Sequence, residues 1–183
     1  MALFQPDHTF LCYRLLSPAF LTEKGIKALL LDIDNTLAPY EQPEPDEQIV
    51  AWLQTLADAG IQTAFLSNNH ADRVSLFNQT LNRPMRYDAH KPLPRQAKKM
   101  LRLLGIGKKE AALMGDQVFT DVLCAHLTGI RAILVPPIVD RTDRGTRLKR
   151  YFERGILRRY YKKHPQESDI RMGSPLTKEH KTV

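Results

Sequence analysis

Cysteine is scarce in this chain: only Cys12 and Cys124 occur among 183 residues. So isolated a pair excludes a disulfide framework. Both thiols are expected to be inert apolar fillers rather than nucleophiles. A chain of this length buries a sizeable core without cross-links. A membrane-crossing run is missing as well. Residues 1–22 are rich in Leu and Phe, but Pro6, Asp7, His8, Arg14 and Pro18 interrupt them, and no basic residue precedes the apolar part. That pattern is expected to be neither a secretory signal nor a transmembrane helix. It predicts an apolar segment, 1–24, packed on or beside the core. Beyond Pro165 the sequence is polar and without core periodicity, so 165–183 is expected to be a disordered tail.

The most informative stretch is Leu29-Leu30-Leu31-Asp32-Ile33-Asp34-Asn35-Thr36-Leu37. An uncharged run of strand length, as suits a strand buried on both faces, ends in two carboxylates spaced i and i+2. Strand side chains alternate, so both aspartates reach one point only if the chain curls there. Carboxylates at the carboxyl end of a buried parallel strand stand where open α/β sheets bind ligands. Crowded in a dry crevice they repel each other, and Asp32 with Asp34 therefore calls for a divalent cation.

Three later segments share this design. Ile61–Leu66 stops at Ser67-Asn68-Asn69, the weaker run Met85–Ala89 leads to His90-Lys91-Pro92, and Ala111–Met114 enters Gly115-Asp116-Gln117-Val118-Phe119-Thr120-Asp121. Apolar run, polar residues, then helical pattern is the alternation of a parallel α/β sheet. Its strand ends offer carboxylates, a hydroxyl with amides, a lysine, and carboxylates again, which is the equipment of metal-assisted phosphoryl transfer. Asp32, nearest its strand, is the expected nucleophile, forming an aspartyl-phosphate. Asp34 is the expected general acid and base. Mg²⁺ favours one or two carboxylates plus substrate phosphate and water, which Asp32 and Asp116 would supply, with Asp121 holding a metal-bound water. Ser67 and the amides of Asn68 and Asn69 form an anion site at a helix start. Lys91 adds a point charge for the phosphoryl oxygens. Asn69 and Arg73, the latter one turn into that helix, are possible substrate contacts. Asn35 and Thr36 are expected to shape the turn, and His90 to be structural.

These four ordered motifs, over roughly residues 28–135, resemble those of haloacid dehalogenase-like phosphatases. The resemblance implies a doubly wound, mostly parallel Rossmann-like sheet, an aspartyl-phosphate mechanism and Mg²⁺. It places Asp32 as nucleophile, Asp34 as acid/base, Ser67 and Lys91 at the phosphate, and Asp116 and Asp121 at the metal. The second aspartate is a feature shared by the phosphatase branch.

Spacing predicts a core without a cap domain over 25–137. Asp46 caps a helix running to Ala59, with Ile49, Val50, Leu53, Leu56 and Ala57 at 3.6-residue spacing, and Gly60 ends it. The next strand follows at once. A helix over 71–81 and a short strand use up the interval to Lys91. Further helices are predicted over 93–104 and 118–127, and a last strand over 130–135 before Pro136-Pro137. An open site of this kind suits bulky or macromolecular substrates.

Charge is unevenly spread. Formal net charge is +7, yet from Arg141 to Lys163 ten Lys/Arg face two acidic residues, an excess of eight. Within 138–164 the segment 146–163 is amphipathic, with Leu148, Tyr151, Phe152, Ile156, Leu157, Tyr160 and Tyr161 at helical spacing. A basic helix of this type suits the interface of an anionic membrane. Docking on the protein's own sheet and tracking of nucleic acid are the two other readings.

The stretch Gly25–Pro39, together with Ser67-Asn68-Asn69, Arg73-Val74, Lys91-Pro92 and the basic helix, resembles the bacterial YqeG-type subfamily. That subfamily is similar to the mitochondrial phosphatase of phosphatidylglycerophosphate. The implied reaction is hydrolysis of phosphatidylglycerophosphate to phosphatidylglycerol; the N-terminal and basic segments lead to the expectation of a cytoplasmic protein, peripheral on the inner membrane face. The alternatives are a phosphatase for a soluble sugar phosphate, nucleotide or nucleic-acid 3′-phosphate, and a non-enzymatic RNA- or ribosome-associated scaffold.

Overall fold

The computed structural model describes residues 3–139 and 144–164, without the side chains of 144–151. The expected tail 165–183 lies outside the described residues, as do the side chains of Arg147, Leu148, Arg150 and Tyr151. Six parallel strands form one sheet: β1 (His8–Thr9), β2 (Ala28–Leu31), β3 (Gln62–Leu66), β4 (Met85–Arg86), β5 (Ala111–Gly115) and β6 (Arg131–Leu134). Their spatial order is β1-β6-β5-β2-β3-β4. From β2 the chain moves outward through β3 and β4, then crosses back to β5 on the other side of β2. The order therefore reverses between β2 and β5, the position at which doubly wound sheets open a ligand crevice beyond their strand ends.

Alternation along β2 explains the layers. Leu29 and Leu31 face one core together with Ile49, Trp52, Leu53 and Leu56 of α2 (Glu47–Asp58) and Val74 and Phe77 of α3 (Ala71–Asn78). Ala28 and Leu30 face a second core, with Ala97, Met100 and Leu101 of α4 (Arg95–Leu104) and Cys124 and Ala125 of α5 (Leu123–Thr128). Among the described residues no cap domain interrupts these elements. α1 (Pro18–Glu23), capped by the Ser17 hydroxyl, contributes Leu21 to the first core.

Several boundaries differ from periodicity, each for a local reason. In α2, Asp46 caps through Ile49 N at 2.8 Å, but Val50 is exposed and Trp52 is buried in its stead. The Trp52 indole donates to Leu16 O and meets Tyr13 edge-on, so a partner outside the helix rotated the buried face. The predicted helix over 71–81 stops at Asn78, whose amide bonds Arg83 N and O and folds the chain back. Pro94 delays α4 to Arg95. The predicted helix over 118–127 opens as a wide π turn, Val118–Val122.

The N-terminal segment adds a strand that periodicity did not reveal. β1 pairs with β6, and Asp7 Oδ2 accepts from Ala132 N at 2.8 Å. His126 of α5 places Nε2 at 3.1 Å from Asp7 Oδ2 and Nδ1 at 2.8 Å from Leu3 O. Both partners are acceptors, so the imidazolium satisfies both.

At the other end, α6 (Arg144–Lys163) turns part of its apolar side inward. Leu157 and Tyr160 are buried, Leu157 in the second core, and Ile156 and Tyr161 pack against that core. Leu157 shares that core with Val118 and Val122 of the π turn and Cys124 and Ala125 of α5, which is packing of the kind expected of docking on the protein's own core. Arg154, Arg158, Arg159, Lys162 and Lys163 remain exposed. Among the described residues, no helix is long and apolar enough to cross a membrane.

Candidate active site

Asp32 directly follows β2 and Asp116 directly follows β5, so the sheet reversal itself sets them side by side. Asp32 N continues the ladder by donating to Met114 O at 3.0 Å. The turn beyond curls tightly: the amides of Thr36, Leu37 and Ala38 all donate to Ile33 O. Asn35 takes a left-handed conformation (φ 62°), which Asn tolerates better than most residues. This curl lets the Thr36 hydroxyl donate to Asp32 Oδ2 at 3.3 Å.

Carboxylate oxygens of Asp32, Asp116 and Asp121 lie within 4.8 Å of one another, all buried. Gly115 makes this possible, because a Cβ there would stand 2.2 Å from Asp121 Cγ. The π turn aims Asp121 inward, and Asp121 Oδ2 accepts from Gln117 N at 3.1 Å and from the Thr120 hydroxyl at 3.2 Å. Lys91 lies against the cluster, its Nζ 2.7 Å from both Asp32 Oδ1 and Asp121 Oδ1. It is aimed by Asn68, whose amide accepts from Lys91 N at 2.6 Å and donates to Lys91 O at 3.0 Å. Burial pushes the Asp32 carboxyl up to about 6, and the charge of Asp121 adds to this while Lys91 opposes it. Burial also works against the Lys91 ammonium, but Asp121 and Asp32 outweigh it and hold its pKa above the usual lysine range.

Three buried carboxylates against one ammonium leave an excess of negative charge, and an oxygen-only donor set of this size fits a hard divalent cation. Asp32, Asp116 and Asp121 are the residues that would hold it. The Asp34 carboxylate, also expected at the metal, is not among the three that cluster. Its Oδ2 accepts from Asn69 Nδ2 at 3.1 Å, and its Oδ1 meets the Arg73 guanidinium, Nε and Nη2 each at 3.2 Å. Arg73 likewise departs from its expected role at the substrate. Nη1 donates to Pro43 O at 2.9 Å and the guanidinium lies over the Phe77 ring, so this side chain orients Asp34. Arginine's planar fork favours that duty over reaching for a second phosphate.

Above the cluster is an open cavity of about 250 Å³ lined by Asp32, Asp34, Ser67, Asn68, Asn69 and Lys91, joined by Tyr40, Gln117 and Thr120. Ser67 follows β3, and its hydroxyl accepts from Asn69 N at 3.0 Å, tightening the turn into α3. Tyr40, Gln117 and Thr120 were not singled out from sequence. Gln117 and Thr120 stand inside a motif read only for its aspartates, and Tyr40 lies in a proline-rich loop with no periodic signal. His70 and His90 stay outside the cavity lining, both bonded to Asp88, through its carboxylate and its carbonyl respectively.

Comparison with known proteins agrees with this geometry. Residues 17–135 match the model of the haloacid dehalogenase-like hydrolases. Probable phosphatase YqeG of Bacillus subtilis (strain 168) is 32% identical over 154 residues, covering 84% of this chain and 90% of that protein. A solved uncharacterized protein from Listeria monocytogenes serotype 4b superposes with a TM-score of 0.51 at 18% identity, over 65% of this chain and 84% of the other, a likeness of fold alone. With Asp32 and Asp116 side by side at the sheet reversal and this match over residues 17–135, the chain belongs to the haloacid dehalogenase-like hydrolase family, among its phosphatases.

Proposed function

We propose that this phosphatase cleaves a phosphomonoester through an aspartyl-phosphate on Asp32, with Mg²⁺ as its metal, and that its substrate is the lipid phosphomonoester phosphatidylglycerophosphate. The observation that carries the reaction is the meeting of Asp32, Asp116 and Asp121 with Lys91 beneath an open cavity. The bound cation supplies charge neutralisation for the carboxylates and the phosphoryl oxygens. Ser67 and Asn68 orient the phosphoryl group, and Lys91 offers its ammonium to the oxygen that gains charge in the transition state. Asp32 Oδ attacks phosphorus while the ester oxygen leaves. Asp34, steadied by Asn69 and Arg73, protonates that oxygen and then takes a proton from the water that hydrolyses the acyl phosphate.

Support for a lipid is chemical and indirect. Among the described residues no cap covers the cavity, so a phosphate fixed to a bulky anchor can enter it. The exposed face of α6 presents Arg154, Arg158, Arg159, Lys162 and Lys163, each worth about 1 kcal/mol close to an anionic surface. With Leu157 and Tyr160 buried and this basic face exposed, contact with a membrane rests mainly on charge and is therefore salt-sensitive.

The test is phosphate release from phosphatidylglycerophosphate in mixed micelles with Mg²⁺, beside soluble phosphomonoesters and an Asp32→Asn control. Preference for the lipid, lost in the control, is the expected result. Hydrolysis of soluble esters alone would remove the lipid and leave the mechanism. Reversing the charge of Arg158, Arg159, Lys162 and Lys163 is expected to abolish sedimentation with phosphatidylglycerol vesicles without lowering turnover of a soluble ester.

A further inference from the structure

Within α6 there is a single acidic residue, Glu153, and it is turned inward while Arg154, Arg158, Arg159, Lys162 and Lys163 face solvent. It is only 6% exposed. A carboxylate is taken from water at a cost of several kcal/mol unless it is hydrogen-bonded, so its destination is informative. Glu153 Oε1 accepts from Val118 N at 2.9 Å. Val118 is itself fully buried and opens the π turn that delivers Asp121. Backbone amides at the start of a helical turn lack partners within it and need an outside acceptor.

The position of that amide matters more than its satisfaction. Val118 N–H and Gln117 C=O belong to one planar peptide unit. Gln117 O accepts from Asp121 N at 2.9 Å and from Val122 N at 3.3 Å. The neighbouring amide, Gln117 N, donates to Asp121 Oδ2 at 3.1 Å. Glu153 thus holds one edge of a peptide whose other edge holds Asp121. The peptide, pinned from both sides, fixes the backbone of Asp121, while Gln117 N holds its carboxylate toward Asp32 and Asp116.

We infer that Glu153 is a positioning residue for the metal-binding loop, and that α6 braces the active site through it rather than only covering the core. This rests on the reading of Asp32, Asp116 and Asp121 as the metal carboxylates. Outer partners that orient metal ligands typically change metal affinity ten- to a hundred-fold when removed.

The experiment compares native protein with Glu153→Ala, Glu153→Gln and Glu153→Asp. Mg²⁺ affinity is read by calorimetry well below each protein's Tm, and hydrogen exchange of the Val118 and Asp121 amides is read without metal. Glu153→Ala is expected to bind Mg²⁺ about tenfold more weakly or worse, with faster exchange at both amides. Glu153→Gln keeps an acceptor oxygen in place and is expected to stay within about threefold of native, well short of the loss on deleting that partner. Glu153→Asp withdraws the acceptor by one methylene and is the decisive variant should Ala not fold; it is expected to weaken Mg²⁺ as well. Native-like affinity in both Ala and Asp variants overturns the inference, as does a Gln variant as impaired as Ala. Native protein that binds no Mg²⁺ would overturn the metal reading instead, and unchanged exchange at Val118 in Glu153→Ala would then overturn this one.

Discussion

Replacing Lys91 by methionine deletes the ammonium from a buried group of three carboxylates and leaves the stem's volume in place. Each Nζ contact, to Asp32 and to Asp121, is 2.7 Å long. At an effective dielectric constant of ~20 such a contact is worth about 6 kcal/mol before desolvation. Desolvating the charges cancels much of it, and breaking a buried pair from one side costs roughly 3–5 kcal/mol. For a domain of this size that corresponds to roughly 6–20 °C in Tm.

The expected behaviour has three parts. Without metal at pH 7.5, Lys91→Met melts far below native protein. The deficit shrinks as pH falls, because carboxylates without their counter-charge take up a proton on folding, which favours the folded state at low pH. Mg²⁺ stabilises the variant more than the native chain, since it replaces the lost cation; a hundredfold excess over Kd is worth about 2.7 kcal/mol. Turnover at saturating Mg²⁺ falls about 10²–10³-fold, as on loss of one donor to developing charge. Differential scanning fluorimetry across pH and Mg²⁺, with phosphate release alongside, measures all of this. A metal-free Tm within about 2 °C of native at pH 7.5, less than ~1 kcal/mol, would refute the claim that Lys91 balances the cluster.

Arg73→Gln is expected to lower kcat about 10–100-fold with KM nearly unchanged, as for loss of a transition-state contribution; a rise confined to KM would return Arg73 to the substrate. Gly115→Ala is expected to displace Asp121 and weaken Mg²⁺ binding by about ten- to a hundred-fold, measured by calorimetry; native affinity would show that the loop relaxes freely. The Asp7–His126 pair makes the N-terminal strand's attachment pH-dependent. The hydrogen bond to Asp7 raises the His126 pKa against burial, and burial of Asp7 is outweighed by His126 and Ala132, which lower its pKa. The Asp7 contribution is present above its ordinary 3.8 and lost as pH falls through its depressed folded value. The His126 contribution is present below its ordinary 6.5 and lost as pH rises through its raised folded value. Amide protection of β1 should therefore be greatest between these two values, and flat protection in that range and above it would refute the pairing.

Much of this molecule is legible in order and spacing. An uncharged Leu29–Leu31 followed by Asp32 announces a central parallel strand ending at a site, since only a strand covered on both faces omits polar residues. Gly60 and Gly105 mark helix ends because the left-handed conformations they adopt are costly for other residues. Less legible were features that depend on partners distant in sequence. β1 is two residues long and has no alternation to read; it exists because β6 offers an unpaired edge and Asp7 reaches Ala132 N. Trp52 is buried through Leu16 and Tyr13, so the spacing within α2 did not reveal it.

The sequence by itself determined the fold class and which polar groups gather at one place, because motif order along a parallel sheet dictates which loops meet at its carboxyl edge. Tertiary structure alone decided how those groups divide their labour. Asp32 and Asp34 are two residues apart, yet one joins a buried cluster and the other an arginine, since the curl at Asn35 sends them to different neighbours. The basic helix could be read as amphipathic but not assigned a surface. Only packing shows Leu157 and Tyr160 on the core and Glu153 on Val118, because hydrophobic periodicity reports which side of a helix is buried and says nothing of what buries it.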